Sequence, residues 1–395
     1  MQTRTVGSKP ATWLVPGMVV LAVVSIGQVR AEGADSLKGA FSGGKLILDA
    51  RLRTENVDQE PLPDDAHAIT LRTRLGFETA KAWNTTLLVE GEAVVPIQDD
   101  YRPDPAVAEM VTFPVVPDPE AYEANRFQLV NTSLPGTTLT LGRQRILLDD
   151  QRFVGNVGWR QNEQTFDGFR VVNKSVKNLV LDATYLNRVN RVFGPDSPQG
   201  DYQGDSALLN ASYQTPLGKI TGFGYLLQFD DIVGVPAAVR DSTSTYGVRF
   251  AGEKPAGKVK LAYAASWATQ SDAGDNPLSF DLDYMALELG ATLKQFGLTA
   301  GIEVLDGNGT KGFTTPLATL HKFNGWADKW LATPANGLED VYVAASANLK
   351  AVAGLDTLGF VLSYHDYDAE SVSADYGSEW NASVAAKFKK FNFML

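Results

Sequence analysis

Lys45-Leu46-Ile47-Leu48-Asp49-Ala50-Arg51-Leu52-Arg53-Thr54-Glu55 is the stretch whose reading decides the fold. Successive side chains of an extended chain point to opposite sides. Leu46, Leu48, Ala50 and Leu52 therefore share one face, and Ile47, Asp49, Arg51 and Arg53 share the other. A leucine face backed by a charged face suits a strand with lipid on one side and water on the other. The pattern returns in His67 to Thr79, where Ile69, Leu71, Leu75 and Phe77 oppose Arg72, Arg74 and Glu78. It recurs at Val259/Leu261/Tyr263/Ala265/Trp267, Leu298/Ala300/Ile302/Val304, Leu358/Phe360/Leu362/Tyr364 and Trp380/Ala382/Val384/Ala386. Thr138 to Ile146 departs from it, because Leu139 and Leu141 share parity with Arg143 and Arg145. A bulge at Gly142 would flip the parity and turn both arginines inward.

The connections carry a second rhythm. Short, turn-like ones are Lys81-Ala82-Trp83-Asn84, Leu134-Pro135-Gly136-Thr137, Thr215-Pro216-Leu217-Gly218, Glu253 to Gly257 and Lys294 to Gly297. Between them lie Pro96 to Tyr122, Leu148 to Gln164, Asn190 to Gly204, Asp230 to Ser242 and Asp306 to Glu339. Short turns on one side and long loops on the other is the plan of an outer-membrane barrel. The expected fold is thus all-β, a transmembrane antiparallel β-barrel, with residues 32–395 as one domain. About sixteen strands are legible up to Lys387, and Phe391 to Leu395 begins another. Single-chain bacterial barrels have an even strand number, so the expectation is a sequence that stops before its final hairpin. The alternative is a miscount by one strand.

The N-terminus reads as an export leader over residues 1–31. Arg4 and Lys9 precede the apolar run from Ala11 to Gly27, and Val29-Arg30-Ala31 fits a cleavage site. Pro16 and Gly17 break a run already short for a spanning helix, which needs about 20 apolar residues. Loss of Arg4, Lys9 and Arg30 takes the formal charge from −11 to −14. Such acidity argues against nucleic acid as a partner. The chain has no cysteine, which excludes disulfides, a thiol nucleophile and a cysteine-ligated metal. His67, His321 and His365 share no ligand spacing, and the acidic turns Asp306 to Gly309 and Asp272 to Asn276 lack that of a calcium loop. No cofactor or metal is expected.

The candidate chemistry lies on the polar faces and in two loops. Arg51, Arg53, Arg72, Arg74, Arg126, Arg170, Arg188 and Arg249 fall on the inward face, joined by Arg143 and Arg145 if the bulge forms. A guanidinium is permanently charged and grips carboxylates with paired hydrogen bonds. In a narrow lumen such groups would attract anions. They could equally pair with Asp49, Glu78, Glu90, Glu92, Asp182 and Glu303 and brace the wall. Two loop stretches are too rich in rings, amides and charge for plain connectors. Leu141 to Asp167 holds Arg152, Trp159, Arg160 and Asn162; Phe313 to Lys329 holds His321, Lys322, Asn324, Trp326 and Asp328. Flat rings stack on sugars, and amides and guanidinium read hydroxyls and carboxylates. The plainer reading is a pair of loops that fold into the lumen and narrow it.

With these two motifs the chain resembles the alginate export family of outer-membrane β-barrels. The resemblance implies an 18-stranded monomer set in outer-membrane lipid and lipopolysaccharide. It implies passive movement of anionic polysaccharide or smaller solutes, outward or inward. The expected function is a passive outer-membrane channel for anionic solutes, an acidic saccharide or another organic anion, and not an enzyme. The alternatives are a structural or adhesive barrel with a plugged lumen and, less favoured, an outer-membrane hydrolase. For the latter, His321 and His365-Asp366 have no evident serine partner.

Overall fold

The computed structural model describes residues 19–23, 36–106, 108–231 and 237–395. Its strands are β1 Val19–Val23, β2 Lys45–Val57, β3 Ala66–Glu78, β4 Thr85–Asp100, β5 Ala121–Asn131 and β6 Thr137–Gln144. There follow β7 Thr165–Asn173, β8 Leu179–Asn190, β9 Asp201–Thr215, β10 Gly218–Leu227, β11 Thr243–Ala256 and β12 Val259–Asp272. The last are β13 Asp281–Leu293, β14 Phe296–Leu305, β15 Leu338–Val352, β16 Leu355–Asp368, β17 Asp375–Phe388 and β18 Phe391–Met394. Among the described residues helix is confined to α1 Leu37–Ser42, α2 Ala237–Arg240 and a short 3₁₀ turn at Leu320–Lys322.

All of the strands join one 18-stranded sheet. From β2 to β18 each strand pairs antiparallel with the next. β1 pairs antiparallel with both β18 and β2, so every strand has two hydrogen-bonded neighbours. The sixteen strands read from Lys45 to Lys387 are β2 to β17, and the one beginning at Phe391 is β18. β1 comes from the segment read as a leader; the expected cleavage site at Val29-Arg30-Ala31 lies outside the described residues.

The wall is inside out relative to a water-soluble protein. Leu46, Leu52, Leu75, Leu261, Leu298, Leu362 and Trp380 are exposed, while Arg51, Arg53, Arg72 and Arg74 are buried. The parity that exposes one set buries the other, because the outer face meets lipid and the inner face is covered by loops. Inside, Phe223, Tyr225, Tyr284, Leu305 and Leu338 of the wall pack with Ile146, Val154, Phe313 and Leu317 of two loops in one apolar cluster. The barrel interior is therefore partly filled by its own loops.

The expected bulge at Gly142 is absent. The register runs unbroken from Asn131↔Leu139 to Phe127↔Arg143, and on the other side to Gln144↔Phe166. Gly142 instead takes φ +106°, where a side chain would strike the Phe127 carbonyl. Arg143 stays opposite Phe127, itself an exposed wall residue, so it is not turned into the lumen as a bulge would have done. Asp167 neutralises it, at 2.8 Å. The register shifts that do occur include Asp167/Gly168, Leu186/Arg188 and Tyr367/Asp368, toward the long-loop ends of their strands.

A charge placed on the outer face should be costly. Leu287→Arg, at an exposed position in β13, should lower stability by about 2–4 kcal/mol near the membrane midplane. The check is the urea midpoint for unfolding from lipid vesicles.

Candidate functional site: the lumen and its infolded loops

Three connections on the long-loop side turn back into the barrel: residues 101–120, 145–164 and 306–337. The second is anchored by β2 and β3. Arg51 donates to Gln161 Oε1 at 2.7 Å, to the Gly158 carbonyl at 3.0 Å and to the Arg160 carbonyl. Arg53 donates to the Trp159 carbonyl at 2.6 Å and lies over the Trp159 ring at 4.5 Å. Two wall guanidiniums thus hold three consecutive loop carbonyls. Gln161 completes the anchor by donating to the Thr70 hydroxyl at 2.8 Å and carbonyl at 3.0 Å. Burying a guanidinium is expensive unless its donors and charge are met; here Arg53 also pairs with Glu55 at 2.5 Å and Asp118 at 3.4 Å. Arg72 pairs with Asp49 and Arg74 with Glu92.

The two motif loops meet each other inside the lumen. Val154 and Leu317 form a parallel bridge, and the Gly155 N–H donates to the Leu317 carbonyl at 2.8 Å. Gln164 Nε2 donates to both the Gly155 and Leu317 carbonyls, at 2.9 and 3.0 Å. The Trp159 ring stacks on His321 at 4.0 Å, and His321 bonds Asp328 at 2.8 Å. Arg160 links Asp328, at 2.5 Å, to Glu55 at 3.0 Å. Gly325 has φ +85°, and a side chain there would overlap the Tyr367 hydroxyl and the Glu379 carboxylate. The Trp326 and Ala327 N–H groups donate to Glu379 at 2.5 and 2.9 Å.

The tip of loop 145–164 reaches deep into the barrel. Asp149 and Gln151 adopt left-handed φ of 50° and 70° to make the turn. Asp149 pairs with Lys219 of β10 at 2.7 Å, and Asp150 with Arg249 of β11 at 3.0 Å. Arg152 donates to Glu303 at 2.7 Å, Thr315 at 3.1 Å and Asn324 at 3.2 Å. Glu303 also accepts from Tyr284 at 2.6 Å and from Asn324 at 2.7 Å. Asp149 and Asp150 are thereby docked on the inner wall.

The remaining expected residues are placed as follows. Arg126 grips Glu90 through two hydrogen bonds of 2.8 and 2.6 Å, and Arg170 grips Asp182. Arg145 bonds Glu163 beyond the end of β6. Arg188 pairs with Asp201 at 2.5 Å and is 41% exposed at the rim. Asn162 donates to the Val192 carbonyl at 3.1 Å. Lys322 donates to the Asp150 carbonyl at 2.8 Å; among the described residues no ion pair joins it to a carboxylate. Most of these arginines therefore brace the wall or hold the loops. Gln161, Glu163, Gln164 and Thr315 were not singled out. The signal for the first three was available: the consecutive polar residues Gln161-Asn162-Glu163-Gln164, all buried, lead directly into β7.

A cavity of about 430 Å³ remains between loop 306–337 and the inner faces of β11 to β16. Arg249, Lys322, His365 and the carboxylates Asp150, Glu288, Glu303 and Asp340 face it, with Tyr284, Phe323, Trp326 and Tyr342 as flat walls. His365 bonds Asp340 at 3.0 Å, and Tyr342 donates to Glu288 at 2.7 Å.

A wall of antiparallel strands with lipid-facing apolar residues, charges within and long loops on one side defines a bacterial outer-membrane β-barrel of the channel-forming class. This chain belongs to the alginate export family: the family model, described as alginate export, matches residues 90–303, which include the first loop motif and more than half of the chain. No curated protein matches it. In fold it is similar to Pseudomonas aeruginosa OccK9 (OpdG), at 16% identity and a TM-score of 0.66, covering 88% of this chain and 89% of that one. It is also similar to the outer membrane protein opdK of that organism, at 14% identity and a TM-score of 0.64, covering 90% and 97%. P. aeruginosa OpdK with vanillate matches at 12% identity and a TM-score of 0.61, covering 96% of each chain.

Two loop carboxylates make docking of the loops acid-sensitive. Burial raises the Glu163 carboxyl, but the charge of Arg74 and the bond and charge of Arg145 outweigh it and hold it at about 2. Burial likewise opposes the His321 bond and Arg160 charge that hold Asp328 at about 2. Both values lie below those of free carboxyls, about 4. Their contribution is full above that range and lost as pH falls through about 2. Single-channel conductance should hold from pH 7 to 4 and rise as the loops release on acidification toward 2. Separately, Arg152→Ala strands buried Glu303 and should weaken docking by about 3–5 kcal/mol. It should show as a larger and noisier open conductance than native protein.

Proposed function

We propose that the chain is a passive, anion-preferring channel whose substrates are acidic saccharides or similar hydroxylated organic anions. The observation that carries this reading is the lumen cavity, where the Lys322 ammonium has no carboxylate in ion-pair contact among the described residues and stands beside flat aromatic walls. Rings stack on a sugar or aromatic face, a cation takes its carboxylate, and Glu288 and Asp340 accept from hydroxyls. The inward arginines add a second anion-attracting layer once the loops they hold move aside. The fold relative solved with vanillate supports a carboxylate as a fitting guest.

The docked loops favour a second reading, a barrel closed by its own plug. Guanidinium-to-carbonyl bonds, the interloop bridge and the apolar cluster fill much of the lumen. Reversal potential across a planar bilayer under a potassium chloride gradient separates the two. Chloride preference supports the channel, reduced in Lys322→Glu by a shift of reversal potential toward zero. Folded protein without conductance supports the plug, and cation preference removes the proposed substrate class.

A further inference from the structure

The lumen cavity keeps one charge of each sign unmatched. Of its four carboxylates, Asp150 pairs with Arg249 at 3.0 Å, Glu303 pairs with Arg152 at 2.7 Å, and Asp340 bonds His365 at 3.0 Å. Glu288 differs. Its donor is the neutral Tyr342 hydroxyl at 2.7 Å, and among the described residues no ion pair joins it to a cation. Gly301 makes that reach possible, because it stands between Glu288 and Tyr342 in the ladder and a side chain there would overlap the Tyr342 ring. Lys322 is the counterpart on the cationic side, bonded to the Asp150 carbonyl at 2.8 Å and to no carboxylate among the described residues. The two charges lie apart. Lys322 is tied through Asp150 to Arg249 of β11. Glu288 is on β13, two strands further round, since Arg249 faces Ser266 of β12 and Ala264 of β12 faces Glu288. Two strands make about 10 Å of wall.

We infer that the guest of this cavity carries an ammonium as well as a carboxylate: an amine-bearing sugar acid, with its carboxylate on Lys322 and its ammonium on Glu288. The inference rests on the proposed function and narrows its substrate class. A charge in a cavity shielded by loops is costly when a guest displaces its water without replacing its counter-charge. A guest hydroxyl gives Glu288 a second neutral donor and leaves its charge unmet. An ammonium meets the lone pairs and the charge together. Glu288 also acts by exclusion, because a guest with carboxylates at both ends sets like charge against it. The separation of the two poles suits a ring that holds its charged groups at different edges, and the flat walls Phe323, Trp326 and Tyr342 suit the faces of that ring.

The test is calorimetric titration of the full chain in detergent with two probes, galacturonate and 2-amino-2-deoxygalacturonate, which differ by an ammonium in place of one hydroxyl. The aminated sugar acid should bind about tenfold more tightly or better. Glu288→Gln keeps an acceptor for the Tyr342 hydroxyl and removes the charge, and it should make the two probes bind alike. Lys322→Gln should weaken both. Equal affinities in the native chain, failure of both probes to bind, or a preference that survives Glu288→Gln overturns the inference. Reversal potential in a planar bilayer tests the channel reading separately. A closed or cation-preferring barrel can still bind the aminated probe more tightly, and an anion channel can fail to distinguish the two.

Discussion

Burying guanidinium is the constraint from which the interior is built. The wall must keep charge off its lipid face, so Arg51, Arg53, Arg72 and Arg74 point inward. An inward arginine covered by protein needs both acceptors and counter-charge. The wall supplies the charge through Asp49, Glu55 and Glu92. The loop supplies acceptors through the carbonyls of Gly158, Trp159 and Arg160. Once that backbone is fixed, the Trp159 ring meets His321, Arg160 reaches Asp328, and the second loop is held by the first.

The barrel was legible because lipid on one face and water on the other impose a two-residue alternation on strand after strand. Lys45 to Glu55 showed it plainly, and the alternating loop lengths gave the sidedness. Gly142 was misread for a physical reason. Parity alone cannot distinguish a bulge from an outward arginine neutralised across the ladder by Asp167. The identity of the strand between β18 and β2 was also beyond pattern reading, because the Val19–Val23 run has no alternation.

The site was legible in part. The density of rings, amides and charge marked both loops, and their mutual contact is where those residues are used. Which arginine meets which carboxylate was not, because parity fixes the face but not the partner, and the loop pairs, such as Arg152 and Glu303, join residues more than a hundred apart. The anchor was hidden for a further reason. It is made to main-chain carbonyls, which every residue type carries and no sequence motif reports.

Because Arg51 and Arg53 bond the backbone carbonyls of residues 158–160, with the Trp159 ring under Arg53 as the one side chain of those three they engage, the loop can exchange other side chains and keep its mooring. The wall arginines have no such freedom, since a lysine lacks the fork that spans adjacent carbonyls. What the lumen displays can thereby be altered at a few loop side chains while the barrel that presents them stays fixed.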